Sequence, residues 1–352
     1  QVQVEQPPAS PQDRPWQIRC GLLHLQRTAN GDILRLEGTP VQPASVQFGQ
    51  LAMRGPVIKI DQVLNTVDVE GLGSMRLPTR SDFQGNPLRE PAEVVVDWNQ
   101  SMFFDGRLAE FDGGVQAVQG NSRLACRRLS LLLDRKVSLR EQKTTELNRG
   151  ETPAALSRLM CEQDVRLEKA VLEADRYQLL QRIEARELAY DHETATLTAY
   201  GPGVVQVFQP ASDAQRYTGS AFSSGPTGPA AGNPSSTLPP ASKPNPVAPS
   251  AANGFKLTRI RYDGHMQATK AADRQTDVIT FTGGVQLVHV PASDPDEPVD
   301  PDRLPDDGLS LSCGQLKITN RKLENGGSAQ ELLALQGVRV RARQFYAHAD
   351  RV

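Results

Sequence analysis

The sequence of 352 residues has no long apolar run, and aromatic residues make up only 5% of it. A helix needs about 18 consecutive apolar residues to cross a membrane, so the first absence excludes such a segment in the chain as given. Lysine and arginine (39) are balanced by aspartate and glutamate (41). Without a basic stripe the chain lacks the charge that binding to a phosphate backbone requires, and we expect no nucleic-acid partner.

The signatures of catalysis and of cofactor binding are missing as well. The sequence contains no Gly-x-Ser-x-Gly, no Cys-x-x-Cys and no glycine loop that leads into Lys-Ser or Lys-Thr. Its five histidines are isolated, and the acidic residues at 294–307 lack the register of a calcium loop. We therefore expect a non-enzymatic protein with no cofactor and no metal site.

Four cysteines, Cys20, Cys126, Cys161 and Cys313, are spread along the chain. Three of them take the same place in the repeat described below, which favours a role as small buried apolar residues. A disulfide is the alternative, and Cys126 with Cys161 is the candidate pair in an oxidising compartment. None of the spacings matches a zinc site, so metal binding is the weakest interpretation.

The sequence carries an internal repeat that has two parts. In the first part, Phe111–Val118 (FDGGVQAV) parallels Phe281–Val288 (FTGGVQLV). Each copy is followed by four residues that match in type and spacing, namely Leu124, Cys126, Leu129 and Leu131 in one and Leu311, Cys313, Leu316 and Ile318 in the other. A third copy of these four positions is Ile18, Cys20, Leu23 and Leu25, and looser copies begin at Ile183 and Ala349. Repeats roughly 30–45 residues apart are typical of stacked architectures.

Within the copies, apolar and polar residues alternate with the period of two that marks a half-buried strand, as in Val338-Arg339-Val340-Arg341. Glycines between such runs allow the positive φ that bends or reverses a chain. The apolar positions change parity between Cys126 and Leu129, which predicts a β-bulge where a strand bends from one sheet into another. The repeat thus predicts an all-β protein of antiparallel strands.

Helix competes with strand in one stretch. Residues 152–187 are rich in Leu, Ala, Glu, Arg and Gln, which favour helix. We expect one short helix near 152–160. Strands are expected at Val165–Leu167 and at Ile183–Tyr190, the latter because it carries the repeat.

Two insertions interrupt the pattern. Residues 211–254 are rich in Pro, Ser, Gly and Ala and hold too few large apolar residues to offset the entropy of ordering, so a flexible insertion is expected. Residues 291–308 are acidic and proline-rich, which predicts a surface loop. The predicted organisation is a β-repeat region at 1–210, the insertion, and a β-repeat region at 255–352 that continues the same sheet.

The chain begins at Gln1 without an initiator methionine and ends within an apparent strand. We expect it to be a processed or excised piece of a longer protein, with an export signal upstream.

The order of apolar-x-Gly-x-Val, an alternating strand and then apolar-x-Ala-x-x-apolar resembles the OstA-like family, the lipopolysaccharide-transport proteins that bridge the periplasm. The resemblance is carried by Gly114-Val115 with Cys126 and by Gly284-Val285 with Cys313, and more literally by Ala185 with Leu188 and by Ala349-Asp350. It implies a β-jelly-roll or β-taco, two antiparallel sheets folded over one another and open along one seam. It also implies lipopolysaccharide or a related lipid as ligand, sheet-edge pairing with other OstA-like proteins, and the periplasm or cell envelope of a diderm bacterium. The long insertions depart from the family pattern.

On this interpretation an apolar groove runs between the sheets. The residues expected to line it are Val115, Ala117, Leu129, Leu131, Val285, Leu287, Leu316 and Ile318. Two alternatives remain open. One is a structural or adhesive β-repeat scaffold whose interior is packed. The other, weaker alternative is a polysaccharide-active β-solenoid with paired carboxylates. Its candidates are Asp105 and Asp263, each followed by Gly and expected at equivalent places in the repeat.

Overall fold

The computed structural model describes residues 2–6, 16–39, 41–48, 51–83, 87–139, 156–173, 176–211, 254–271, 275–323, 328–343 and 345–352. The elements with defined bounds over these residues are strands. Strands β1 to β8 are Val2–Gln6, Trp16–Cys20, Leu22–Thr28, Gly31–Glu37, Ala44–Phe48, Leu51–Gly55, Val57–Asp61 and Thr66–Glu70. Strands β9 to β16 are Gly73–Ser81, Pro87–Trp98, Ser101–Phe104, Leu108–Gln119, Ser122–Leu133, Leu156–Glu173, Arg176–Asp191 and Thr196–Tyr200. Strands β17 to β23 are Gly203–Pro210, Phe255–Tyr262, His265–Lys270, Thr276–Ala292, Leu309–Lys322, Ser328–Ala342 and Phe345–Arg351. The predicted all-β class is confirmed.

These strands pair antiparallel in two series, which we call the first and second ladders. The first ladder runs β1-β2-β5-β6-β9-β10 and continues through the C-terminal half of β12. The second runs β3-β4-β7-β8-β11 and continues through the N-terminal half of β12. Farther along, β17 and β18 extend the first ladder, and β16 and β19 extend the second.

Seven long strands, β12 to β15 and β20 to β22, belong to both ladders. Each bends where its pairing register shifts, for example between Asp112 and Val115 and between Thr282 and Val285. We call this line of shifts the corner. Bulged glycines with positive φ lie on it, including Gly113 (90°) and Gly283 (79°). The bulge predicted between Cys126 and Leu129 is confirmed, because Cys126 pairs with Val115 in the first ladder and Leu129 with Phe111 in the second.

The two segments that match in sequence also pair alike. Val115 faces Cys126, and Val285 faces Cys313. Beyond the bulge, Phe111 faces Leu129, and Phe281 faces Leu316. Their common register follows from the common spacing of apolar residues, because a slip of one position would turn every apolar side chain to the other face.

One apolar core joins the two ladders. Val46 and Val96 of the first ladder and Ile58 and Val67 of the second belong to the same contiguous cluster of buried side chains. The alternation along each strand explains this arrangement, since every second residue points to the same face. Each ladder therefore contributes its inward rows to a shared interior.

The prediction of a short helix near 152–160 is wrong for residues 156–160, which the structure describes as strand. Leu156 begins β14, and residues 151–155 lie outside the described residues. Helix propensity is overridden because Leu159 and Cys161 alternate into the core, and antiparallel pairing with β13 satisfies the backbone. The expected strands Val165–Leu167 and Ile183–Tyr190 are confirmed in β14 and β15.

The insertion expected to be flexible falls almost entirely outside the described residues, which resume at Gly254. The strands on either side of it, β17 and β18, pair directly over eight residues. The backbone N–H of Ala211 donates to the carbonyl of Gly254 at 2.8 Å, so the chain leaves and re-enters the first ladder at one point.

Candidate functional site

The eight residues expected to line a groove all point into the shared interior. Seven are buried: Val115, Ala117, Leu129, Val285, Leu287, Leu316 and Ile318, with exposures between 0% and 5%. Leu131 is half-buried and packs against the same core. The structure thus brings the two sequence copies into one apolar cluster, although 170 or so residues separate them along the chain.

Aromatic rings pack at the corner beside each copy. The Trp98 ring lies 5.3 Å from that of Phe111, and the Tyr262 ring lies 5.7 Å from that of Phe281. Both pairs are tilted at similar angles, 54° and 56°. Sequence comparison missed Trp98 and Tyr262 because the residue types differ and because they precede their phenylalanines by different intervals, 13 and 19 residues.

The rims of the ladders farthest from the corner form what we call the seam. Among the described strands, no pairing joins the two ladders there. Half-buried apolar side chains lie along it and pack against the core: Leu131, Leu156, Ala268 and Leu309. Over the described residues the strand pairing that links the ladders lies at the corner, and at the seam they meet through side chains of the shared core.

The inward rows of the first ladder become polar near the seam. Four polar residues lie on the inward faces, each two positions nearer the seam than a buried apolar residue of the same strand: Gln119, Gln209, Thr258 and His289. Gln209 is only 2% exposed. Thr258 Oγ1 lies 2.8 Å from His289 Nδ1. Burial, and secondarily the charge of Lys256, lowers the pKa of His289, so the imidazole is neutral near pH 7.

The acidic loop predicted at 291–308 begins two residues later, because Pro291 and Ala292 end β20. Residues 293–308 pack on the outward face of the first ladder, and we call them the strap. A second apolar cluster lies on that face, formed by Leu180, Phe208, Leu257, Val288, Val290 and Ala292, and Val299 and Leu304 of the strap pack against it. The surface-loop prediction did not include this contact. The sequence feature that indicates this contact is Val204–Phe208 in β17. There the alternation of apolar and polar residues is lost, because both faces of the strand are covered.

Salt bridges connect the strap to the first ladder. The Arg182 side chain, 7% exposed, donates to Asp296 Oδ1 at 2.6 Å and to Glu168 Oε2 at 3.0 Å. Arg341 pairs with Asp302 and Arg343 with Asp306, each at 2.7 Å. Burial alone would raise the pKa of Glu168, but hydrogen bonds from Arg166 and Arg182 outweigh it and lower that pKa.

The carboxylates considered for polysaccharide cleavage lie in different settings. Asp105 caps the turn before β12, where it accepts the backbone N–H groups of Arg107 and Leu108 at 2.8 and 2.7 Å. Asp263 lies at the corner between β18 and β19, a position that Asn99 takes in the other copy. The two are therefore not equivalent in the repeat, which corrects that expectation. Over the described residues, no three His, Cys, Asp or Glu side chains gather as a metal site.

No protein-family model and no curated protein matches this chain. Within the part of the chain that the structure describes, there is no helix with the length and apolar character needed to cross a membrane.

Proposed function

We propose that this protein is a non-enzymatic, OstA-like component of a diderm cell envelope that binds or conducts lipopolysaccharide or a related lipid between its two ladders. The observation that carries the proposal is the shared apolar interior, which among the described strands is joined by backbone pairing at the corner and closed by side chains at the seam. In this proposal the ladders form a β-taco, and acyl chains enter by separating them along the seam.

The energetics favour apolar chains as the occupant. Each methylene removed from water contributes about 0.8 kcal/mol, so a few partly covered acyl chains supply roughly 10 kcal/mol or more. The inward rows provide apolar contact without fixed polar partners, which suits a ligand that slides. The polar inward positions Gln209, Thr258 and His289 would face the polar part of the lipid near the rim.

A second candidate is a structural scaffold with a permanently packed interior. The near-complete burial of Val115, Leu129 and Leu316 favours it. So does the size of a cavity at the seam side of the second ladder, about 30 Å³, which is lined by Tyr190, Leu197, Ala268 and Ile279 and is too small for an acyl chain. In the lipid-binding proposal the ladders separate to admit lipid, whereas in a scaffold they do not.

Photo-crosslinking tests the proposal. A photoreactive amino acid is placed at Leu131 or Leu156, which are half-buried at the seam, and the purified protein is irradiated with lipopolysaccharide. Matched controls carry it at Met160 and Val118, exposed apolar residues on the outward faces of β14 and β12. We expect lipid adducts at the seam positions only.

The melting temperature separates the two candidates further. A lipid that binds the native state alone raises it in proportion to the logarithm of lipid concentration. Adducts confined to Met160 and Val118, together with an unchanged melting temperature at saturating lipid, would contradict lipid binding and favour the scaffold. Circular dichroism of each variant confirms that the substituted protein is folded.

The strands at the ends of the ladders bear on which protein partners this chain could bind. Among the described strands, β1, β3 and β23 each pair with one neighbour along their length. Exposed edges of this kind accept a further strand from another molecule. We propose that other OstA-like proteins add to these edges, which would extend the apolar interior from one protein into the next.

A further inference from the structure

Two of the four cysteines meet at the corner between the ladders. Cys126 lies in the first-ladder half of β13, opposite Val115. Cys161 lies in the second-ladder half of β14, opposite Leu129. Both side chains are buried in the same core cluster, at 6% and 1% exposed, and their thiols lie within hydrogen-bonding reach of each other.

The backbone brings these thiols together by a bulge. The pairing of β14 with β15 shifts between Glu162 and Val165, and the two intervening residues, Gln163 and Asp164, have φ values of 62° and 53°. The bend places Cys161, which precedes it, against Cys126, which lies on the other side of the corner. The contact therefore spans the two ladders and is not a cross-strand neighbour pair within one of them.

The other two cysteines provide an internal comparison. Cys20 and Cys313 are also buried, at 4% and 6%. The Cys313 thiol is hydrogen-bonded to the backbone of Leu335 and Gln315, and burial is the main cause that raises the pKa of Cys20. Burial is thus common to all four, whereas the thiol–thiol contact joins Cys126 and Cys161.

We propose that Cys126 and Cys161 form a disulfide that ties the first ladder to the second at their corner. The oxidant is a disulfide donor, of which oxidised glutathione is the simplest. One protein thiolate attacks the donor and releases one thiol, and the second thiolate then displaces the other donor sulfur. Two protein thiols are oxidised, one S–S bond forms, the donor is reduced to two thiols, and each released thiolate takes up one proton.

The pair is suited to oxidation while the chain folds. The hydrogen bond to Cys126 and burial raise the pKa of Cys161, so its thiol is protonated and slow to react in the folded protein. During folding the same thiols are exposed, and pairing of β13 with β14 brings them together. The cross-link then limits how far the corner opens, whether or not a lipid occupies the interior.

The test is refolding under defined redox conditions. Denatured, reduced protein is refolded with oxidised and reduced glutathione or with a thiol reductant, free thiols are alkylated after acid quenching, and peptides are mapped by mass spectrometry. We expect a peptide pair linked through Cys126 and Cys161, with Cys20 and Cys313 alkylated. The oxidised protein should melt several degrees above the reduced protein.

Matched variants keep the result decisive. Cys20→Ala with Cys313→Ala leaves the pair in place and should retain the redox-dependent rise in melting temperature. Cys126→Ala should abolish it. The proposal is overturned if Cys126 and Cys161 are alkylated or carry glutathione separately in refolded wild-type protein, or if the linked pair includes Cys20 or Cys313. Peptide mapping of the wild type does not depend on lipid binding, and it stands even if Cys126→Ala fails to fold.

Discussion

At the scale of single residues, two glycines lie beneath aromatic rings of the first ladder. Gly73 lies against Trp98, and Gly203 against Tyr262. A Cβ atom at Gly73 would also stand 2.6 Å from the carbonyl oxygen of Arg54, and one at Gly203 2.8 Å from that of Glu184. Backbone oxygens cannot turn away as side chains do, so these positions require glycine for space.

We expect Gly73→Ala and Gly203→Ala each to lower the free energy of unfolding by about 1–3 kcal/mol, because the added methyl overpacks a region bounded by backbone. Urea denaturation measures the change. Gly254→Ala is the control, since nothing lies within 4 Å of its Cβ position, and its stability should stay close to that of the wild type. Equal stability of all three variants would show that the rings do not require the glycines.

The pairing of these glycines with rings was not predictable from sequence. Phe111 and Phe281 are the same residue type and align in the repeat, whereas Trp98 and Tyr262 share only their aromatic character. Gly73 and Gly203 lie far from those rings along the chain and contact them through strand pairing. Only the pairing of β9 with β10 and of β17 with β18 brings them together.

At the scale of elements, the strap shows how an acidic loop can bind a sheet. Acidic side chains of a loop ordinarily stay in water. Here Asp296 of the strap binds Arg182, which is almost fully buried and also pairs with Glu168 of β14. A buried guanidinium is tolerated when its hydrogen bonds are satisfied by carboxylates. The strap then covers apolar side chains on the outward face of the first ladder.

Glu168→Gln should destabilise the protein at neutral pH by about 1.5–3 kcal/mol, the range for a hydrogen bond to a charged group. The pKa of Glu168 is lowered in the folded state. Its contribution is therefore fully present above the unfolded pKa of about 4.3 and is lost as the pH falls through the lower folded value. Urea denaturation at several pH values should show a shallower acid loss in the variant than in the wild type.

Glu184→Gln is the matched control for this experiment. Its side chain is 46% exposed and lies near Arg166 at 3.9 Å, so the pair is screened by solvent. We expect the control to follow the wild-type dependence on pH. If Glu168→Gln and Glu184→Gln behave alike, the buried ion pair between Glu168 and Arg182 does not contribute to stability.

At the scale of the whole molecule, the ladders continue across the long insertion. Pairing of β17 with β18 and the hydrogen bond between Ala211 and Gly254 bring the flanking strands side by side. The core on either side is one cluster, which includes Val205 before the insertion and Ile260 after it. Stability should therefore depend on the flanking strands.

Replacing residues 212–253 with about four Gly and Ser residues should leave the fold intact. The free energy of unfolding should not fall, since each halving of a closed loop lowers its entropic cost by about 0.6 kcal/mol. Far-ultraviolet circular dichroism and thermal melting measure the outcome. Loss of the cooperative transition on deletion would show that residues 212–253 are needed for the fold.

Much of the architecture could be predicted from local pattern. Period-two alternation identified strands, and the change of parity after Cys126 identified the corner, because side-chain direction in a strand is set by position alone. The short helix near 152–160 failed because propensity is weak compared with burial of Leu159 and Cys161. The eight interior candidates point inward for the same local reason.

The sequence alone determined the strand class, the inward rows and the bulge, all of which depend on residues within a few positions of one another. The tertiary structure decided which strands are neighbours, that the strap covers an outward apolar face, and that Cys126 meets Cys161 and not another thiol. These features join residues distant in the chain. Alternation specifies the face on which a side chain lies but not the partner it meets there, and that choice is made only when the ladders pair and close on a common core.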